Sequence, residues 1–170
     1  MPYGDESQTA SRTLELSDPE ATTNFGRRLG SLLFPGAVVA LIGPLGAGKT
    51  LLTRAIAEGL GIADGRAVSS PTFVLIQEYL ARLPIYHFDA YRLHGEPEFF
   101  DLGGHEYFDG AGVCLIEWAD RVESALPAEH LRLTLTVTGP STRQLQIEGH
   151  GERYAALVAR LAVDRRSTGA

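Results

Sequence analysis

The chain holds one cysteine, one methionine and one tryptophan among 170 residues. A lone Cys114 excludes an intramolecular disulfide. Its place inside the apolar run Val113 to Ile116 points to a buried thiol in a reducing compartment rather than to a metal ligand. No stretch approaches the roughly 20 apolar residues of a membrane span, and Met1 to Ser17 lacks a basic segment followed by an apolar one. The expectation is a cytoplasmic protein with no membrane partner. Basic residues are in deficit too: 15 Lys and Arg against 21 Asp and Glu leave a net charge of −6. Such a surface repels nucleic-acid phosphates as a whole, so proteins and nucleotides are the better partners. The histidines, His87, His94, His105, His130 and His150, never recur at ligand spacing on one helix, which argues against a histidine metal centre. There is no internal repeat and no low-complexity tract.

Apolar residues make up 44% of the chain, enough for one core of ordinary size. The expected organisation is a flexible N-terminus over 1–11, a single domain over 12–163 and a flexible tail over 164–170. Residues 43 to 50 read Gly43-Pro44-Leu45-Gly46-Ala47-Gly48-Lys49-Thr50, after an apolar run from Ala37 to Ile42 and before a helical pattern. A triphosphate is a dense negative charge. It needs glycines that turn backbone N–H groups inward, a helix N-terminus behind them, a lysine for the outer phosphates and a hydroxyl for magnesium. Gly43, Gly46, Ala47, Gly48, Lys49 and Thr50 supply that set, so the octet reads as a nucleoside triphosphate site.

Arg12 to Leu16 reads as a short strand. Ser17-Asp18-Pro19-Glu20 reads as a capping box, with Ser17 at the cap and proline in the first turn. Ala21, Phe25, Leu29 and Leu32 continue at helical spacing until Pro35-Gly36. After the loop, a helix from about Lys49 to Leu60 completes a strand–loop–helix unit. Phe73 to Tyr79 and Pro84 to Asp89 read as strands joined tightly, Glu96 to Phe108 as a short helix and loop, and Gly112 to Glu117 as a buried strand before a helical Ala119 to Leu126. Alternation at Leu131, Leu133, Leu135 and Val137, repeated at Leu145 and Ile147 after Gly139-Pro140, gives a hairpin with one wet face, and Glu152 to Leu161 a terminal helix. The fold class is α/β: a mixed, mostly parallel sheet flanked by helices, with a C-terminal antiparallel hairpin.

Magnesium at a triphosphate asks for a carboxylate at the end of a buried strand. Two runs end that way, Val113-Cys114-Leu115-Ile116-Glu117 and Ile85-Tyr86-His87-Phe88-Asp89. Glu117 is the candidate for holding the metal or its water, and Asp89 is either a second such group or the cap of the next turn. Thr72, in the loop Ser69-Ser70-Pro71-Thr72, is a candidate sensor of the terminal phosphate or simply the start of a strand. Trp118 reads as core packing more than as a stacking platform for a base.

Gly43 to Thr50, then Ser70-Pro71-Thr72-Phe73, Tyr86-His87-Phe88-Asp89-Ala90-Tyr91-Arg92-Leu93 and Leu115-Ile116-Glu117-Trp118, in this order and in so short a chain, resemble the TsaE family. The resemblance runs from about Leu16 to Ile147. It implies a P-loop α/β fold and hydrolysis of ATP with Mg2+ in the biosynthesis of tRNA threonylcarbamoyladenosine. It also implies action on the partner proteins TsaD and TsaB, which modify adenosine 37, with tRNA met only indirectly or within that complex. Carried over by motif, Lys49 binds phosphates, Thr50 and Glu117 hold magnesium, and Asp89 and Thr72 support hydrolysis. The same resemblance turns Asp18 and Pro19 toward the adenine and brings Arg143 to the nucleotide.

Two departures stand out. Pro44 replaces the acid usual after the first loop glycine and removes a charge and a backbone N–H, so altered kinetics are expected rather than lost binding. Gly103-Gly104-His105-Glu106 is looser than the family pattern before Tyr107-Phe108. Two other readings share the triphosphate site. A small-molecule kinase would need an arginine-rich lid, and none is visible between Gly59 and Leu126. A nucleotide-gated binding module would need no hydrolysis. No arginine finger is evident either, which implies slow turnover that a partner completes.

Overall fold

A computed structural model describes residues 8–69 and 76–163. The strands are β1 (Thr9–Leu16), β2 (Val38–Ile42), β3 (Ile76–Tyr79), β4 (Ile85–Asp89), β5 (Val113–Glu117), β6 (His130–Val137) and β7 (Arg143–His150). The α-helices are α1 (Pro19–Leu32), α2 (Lys49–Gly59), α3 (Glu96–Asp101) and α4 (Glu152–Val163). Tighter 3-10 segments occupy Gly65–Ala67, Gly104–Asp109 and Ala119–Ala125, the last in place of the helix expected there.

All strands join one sheet in the order β1-β7-β6-β2-β5-β4-β3. The central four, β6, β2, β5 and β4, are parallel, and antiparallel pairs flank them on both sides. The α/β class, the hairpin of β6 and β7 and the tight β3–β4 connection all follow the sequence pattern. Parallel strands need crossover connections, and the helices that provide them cover both faces. Burial follows from that: β2 is apolar on both sides, with Val39 and Leu41 facing one core and Val38 and Ala40 the other. The larger core lies under α1, α2 and α4 and includes Leu29, Leu52, Ile56, Leu133 and Leu157. The smaller lies under α3 and the 3-10 segments Gly104–Asp109 and Ala119–Ala125, around Phe88, Phe99, Cys114 and Ile116.

Two expectations shift. β1 begins at Thr9 and not at Arg12, because its antiparallel partner β7 pairs with it along the whole length, Thr9 opposite His150 through Leu16 opposite Arg143. At the start of α1 the cap is Asp18 rather than Ser17. Asp18 is extended, with φ −161° and ψ 173°, and its Oδ1 accepts from the Ala21 N–H at 2.8 Å. Proline fixes the first helical position at Pro19, so the residue directly before it must cap. The segments 1–7 and 164–170, expected to be flexible ends, and Phe73 to Leu75 of the expected strand lie outside the described residues.

Helices α1 and α2 touch through glycines. A Cβ on Gly30 would stand 2.1 Å from the Ile56 carbonyl oxygen, and one on Gly59 would stand 2.1 Å from that of Arg27. The small residues allow an approach that holds α2, and with it the residues at its N-terminus, close against α1.

Candidate nucleotide site

The octet lies at the carboxyl end of β2, and the carboxyl ends of β5 and β4 stand beside it. In the sheet register Leu41 pairs with Glu117 and Glu117 with Asp89. Strand ends at this edge of an open α/β sheet form a crevice, and ligands bind there. Here it is a cavity of about 460 Å³ lined by Gly46, Gly48, Lys49, Thr50, Asp89 and Glu117, with Leu45, Leu51, Tyr91 and Trp118 around them. Residues as far apart in sequence as Leu45 and Trp118 thus meet in one place.

The loop has the backbone that its glycines permit. Gly46 has φ +80° and Gly48 φ +104°, and a Cβ on either would meet no described atom within 4 Å. The space beside them is open. Lys49 opens α2 and is only 5% exposed. Its Nζ donates to the Gly43 carbonyl at 2.6 Å and the Pro44 carbonyl at 2.9 Å, and lies 3.9 Å from the centre of the Trp118 ring. Pro44 therefore keeps a task although it lacks an N–H: its carbonyl also accepts from Ala47 N–H at 3.1 Å. Burial pushes the Lys49 ammonium below its ordinary pKa, against the opposing charges of Glu117, Asp120 and Asp89. A buried ammonium with few water contacts favours an anionic ligand.

Glu117, 2% exposed, is held by both carboxylate oxygens. Thr50 Oγ1 donates to Oε1 at 3.0 Å, and His87 Nε2 lies 2.5 Å from Oε2. Asp89, one strand further out, accepts from the Tyr91 N–H at 2.9 Å, as a turn cap does. Among the described residues no group of three or more His, Cys, Asp or Glu stands together as a metal cluster. The hydroxyl of Thr50 and the carboxylate of Glu117 are hard oxygen donors. They suit a cation such as magnesium, which takes one or two protein ligands and completes its shell with phosphate and water.

Arg143 and Pro19 sit on the other side of the loop. The Arg143 guanidinium donates to the carbonyls of Ala47 (3.0 Å), Gly46 (3.3 Å), Gly139 (3.0 Å) and Thr142 (2.8 Å), tying the β6–β7 turn to the phosphate loop. Pro19 lines a smaller cleft of about 110 Å³ with Thr22, Gly48, Leu51, Pro140 and Arg143, whereas Asp18 is engaged as a helix cap. Thr72 lies outside the described residues. Two site members were not singled out by sequence reasoning. His87 reads as one more dispersed histidine, and only its alternation with Ile85 and Asp89 along β4 would have aimed it at the Glu117 side. Trp118, assigned to packing, bridges the smaller core and the cavity, with Tyr91 at 4.8 Å and Arg121 at 5.6 Å from its ring.

A family profile described as threonylcarbamoyl adenosine biosynthesis protein TsaE matches residues 16–145. The chain belongs to the TsaE family. A TsaE protein of tRNA threonylcarbamoyladenosine biosynthesis from Bacillus subtilis is 44% identical over 146 residues, which is 85% of this chain and 90% of that protein. Its Treponema pallidum counterpart is 43% identical over 126 residues, 74% of this chain and 92% of that one. Among solved structures, the crystal structure of YdiB from Bacillus subtilis superposes with a TM-score of 0.77 at 35% identity, covering 94% of this chain and 98% of that one. TsaE membership rests on the profile and on these relatives, and the likeness to YdiB extends over 94% of the chain. Among the described residues no helix is long and apolar enough to cross a membrane.

Proposed function

We propose that this TsaE-family chain is the ATP-binding and slowly hydrolysing component of the tRNA threonylcarbamoyladenosine machinery, a cytoplasmic ATPase that acts on TsaD and TsaB. One observation carries the reading: a glycine cradle, Lys49, Thr50 and Glu117 converge on a single cavity although Glu117 lies 67 positions from Thr50. The cradle N–H groups and Lys49 bind the phosphates. Thr50 and Glu117 hold Mg2+, which when bound neutralises charge developing on the terminal phosphate. Asp89, beside Glu117 in the register, orients the attacking water, and the resemblance adds Thr72 to that step. Arg143 acts on the nucleotide through the loop carbonyls it grips, and Pro19 faces the base from the smaller cleft.

No arginine on the described residues lines the main cavity, so the electrostatic complement of the transition state is incomplete and turnover is slow alone. TsaD and TsaB complete or reorganise the site, and hydrolysis resets their complex. The test is calorimetry with ATP and magnesium, followed by phosphate release with and without TsaD and TsaB. Micromolar binding that Lys49→Ala abolishes, with release accelerated by the partners, is the expected result. Absence of binding at millimolar ATP would refute the site. Transfer of labelled terminal phosphate to a metabolite would replace the ATPase with a kinase.

A further inference from the structure

His87 is fully buried, on the β4 face that also carries Ile85, in surroundings where an aliphatic side chain would pack without desolvation cost. Its Nε2 lies 2.5 Å from Glu117 Oε2; the other ring nitrogen, Nδ1, finds no partner among the described residues. An imidazole with one satisfied nitrogen contributes little to the core. The value of the group must lie in what it does to Glu117.

We propose that His87 is a positioning residue that fixes the plane of the Glu117 carboxylate so that Oε1 faces the cavity and can hold a divalent cation. The inference rests on the proposed reading of the site as a magnesium–nucleotide site. Glu117 is clamped from two elements, Thr50 from α2 on Oε1 and His87 from β4 on Oε2. In that reading Thr50 turns its oxygen to the metal, which removes one clamp. His87 then remains as the donor that keeps the carboxylate from rotating. Since an ionised carboxylate only accepts, the shared proton sits on Nε2 and Nδ1 is left with a lone pair. That assignment keeps the buried ring neutral with one unpartnered acceptor at Nδ1, whereas a second N–H would make it a buried cation with an unpartnered donor, which costs more. Partners of this kind behind a metal-holding group are worth about 10–100-fold in metal affinity.

The experiment titrates magnesium at fixed non-hydrolysable ATP analogue and compares wild type, His87→Phe, His87→Gln and Glu117→Gln, with analogue affinity in EDTA as the metal-free control. His87→Phe is expected to raise the magnesium midpoint about tenfold while metal-free affinity stays within about twofold. His87→Gln, whose amide can still donate, is expected to restore most of the difference. An unchanged midpoint in His87→Phe, or an equal loss with and without metal, would overturn the proposal. Should the phenylalanine variant fail to fold, the wild type still decides: a long-range 15N–1H spectrum of the magnesium–analogue complex must show the His87 proton on Nε2, and a proton on Nδ1 alone would refute the clamp. If Glu117→Gln leaves the midpoint unmoved in a protein that binds the analogue, the metal assignment fails. If wild type binds no analogue at all, the nucleotide reading itself fails.

Discussion

Replacing Gly30 by alanine tests whether the contact between α1 and α2 is as close as described. In an exposed helix the change would add about 1 kcal/mol of stability, since glycine is the weaker helix former by that amount. At Gly30 the added methyl would lie 2.1 Å from the Ile56 carbonyl oxygen and 2.9 Å from the Gly59 Cα, both backbone atoms that cannot swing aside. The helices must part by roughly an ångström. Overpacking of this kind costs about 1–3 kcal/mol, and more where backbone has to move. The clash outweighs the propensity gain, and the expected net loss is about 2 kcal/mol, which lowers Tm by about 4–8 °C in a domain of this size. Because α2 begins with Lys49 and Thr50, the same displacement should weaken nucleotide binding several-fold. Urea denaturation at constant m-value, with Ser31→Ala on the exposed face as the propensity control, measures the first effect and calorimetry the second. A Gly30→Ala protein as stable as wild type or more so would refute the packing argument, whatever its affinity.

Tyr154 Oη accepts from the buried Val38 N–H at 2.9 Å, so Tyr154→Phe leaves that donor unpaired. A loss of about 1–3 kcal/mol in denaturant midpoints is expected. Burial pushes the Cys114 thiol up to about 12 from an ordinary 9.0. Alkylation by iodoacetamide at pH 8 should therefore be far slower than in the unfolded chain, and stability should fall as pH rises above 9, where the unfolded thiol ionises and the folded one does not; fast modification in the native state would contradict this. Arg143→Lys keeps the charge but cannot reach four carbonyls with one ammonium. Affinity for ATP is expected to fall about tenfold with little change in Tm, a split that calorimetry and thermal unfolding read separately.

The setting of the Gly43–Thr50 loop is legible because it is local: spacing within eight residues, a strand before and a helix after. Both acids are legible as ends of apolar runs, since a buried parallel strand must be apolar until it leaves the sheet. What local pattern could not convey is registration. Nothing in the order of residues pairs Asp89 with Glu117, and His87 gains its meaning only when β4 and β5 lie side by side. Arg143 is similar, because its four acceptors come from two turns almost a hundred positions apart. The displaced cap, Asp18 for Ser17, has a local cause: serine and aspartate are nearly equal caps, and Pro19 chose between them.

Trp118, with φ +58° and ψ +38°, is the sole non-glycine among the described residues in the left-handed region. An aromatic side chain there carries a standing penalty of about 1–2 kcal/mol. Glycine at 118 would relax the backbone and surrender the indole face against Lys49. Because the indole also packs against the smaller core and Tyr91, its loss costs more than the relaxed backbone returns, so selection for heat tolerance and selection for an intact crevice should hold this one position together.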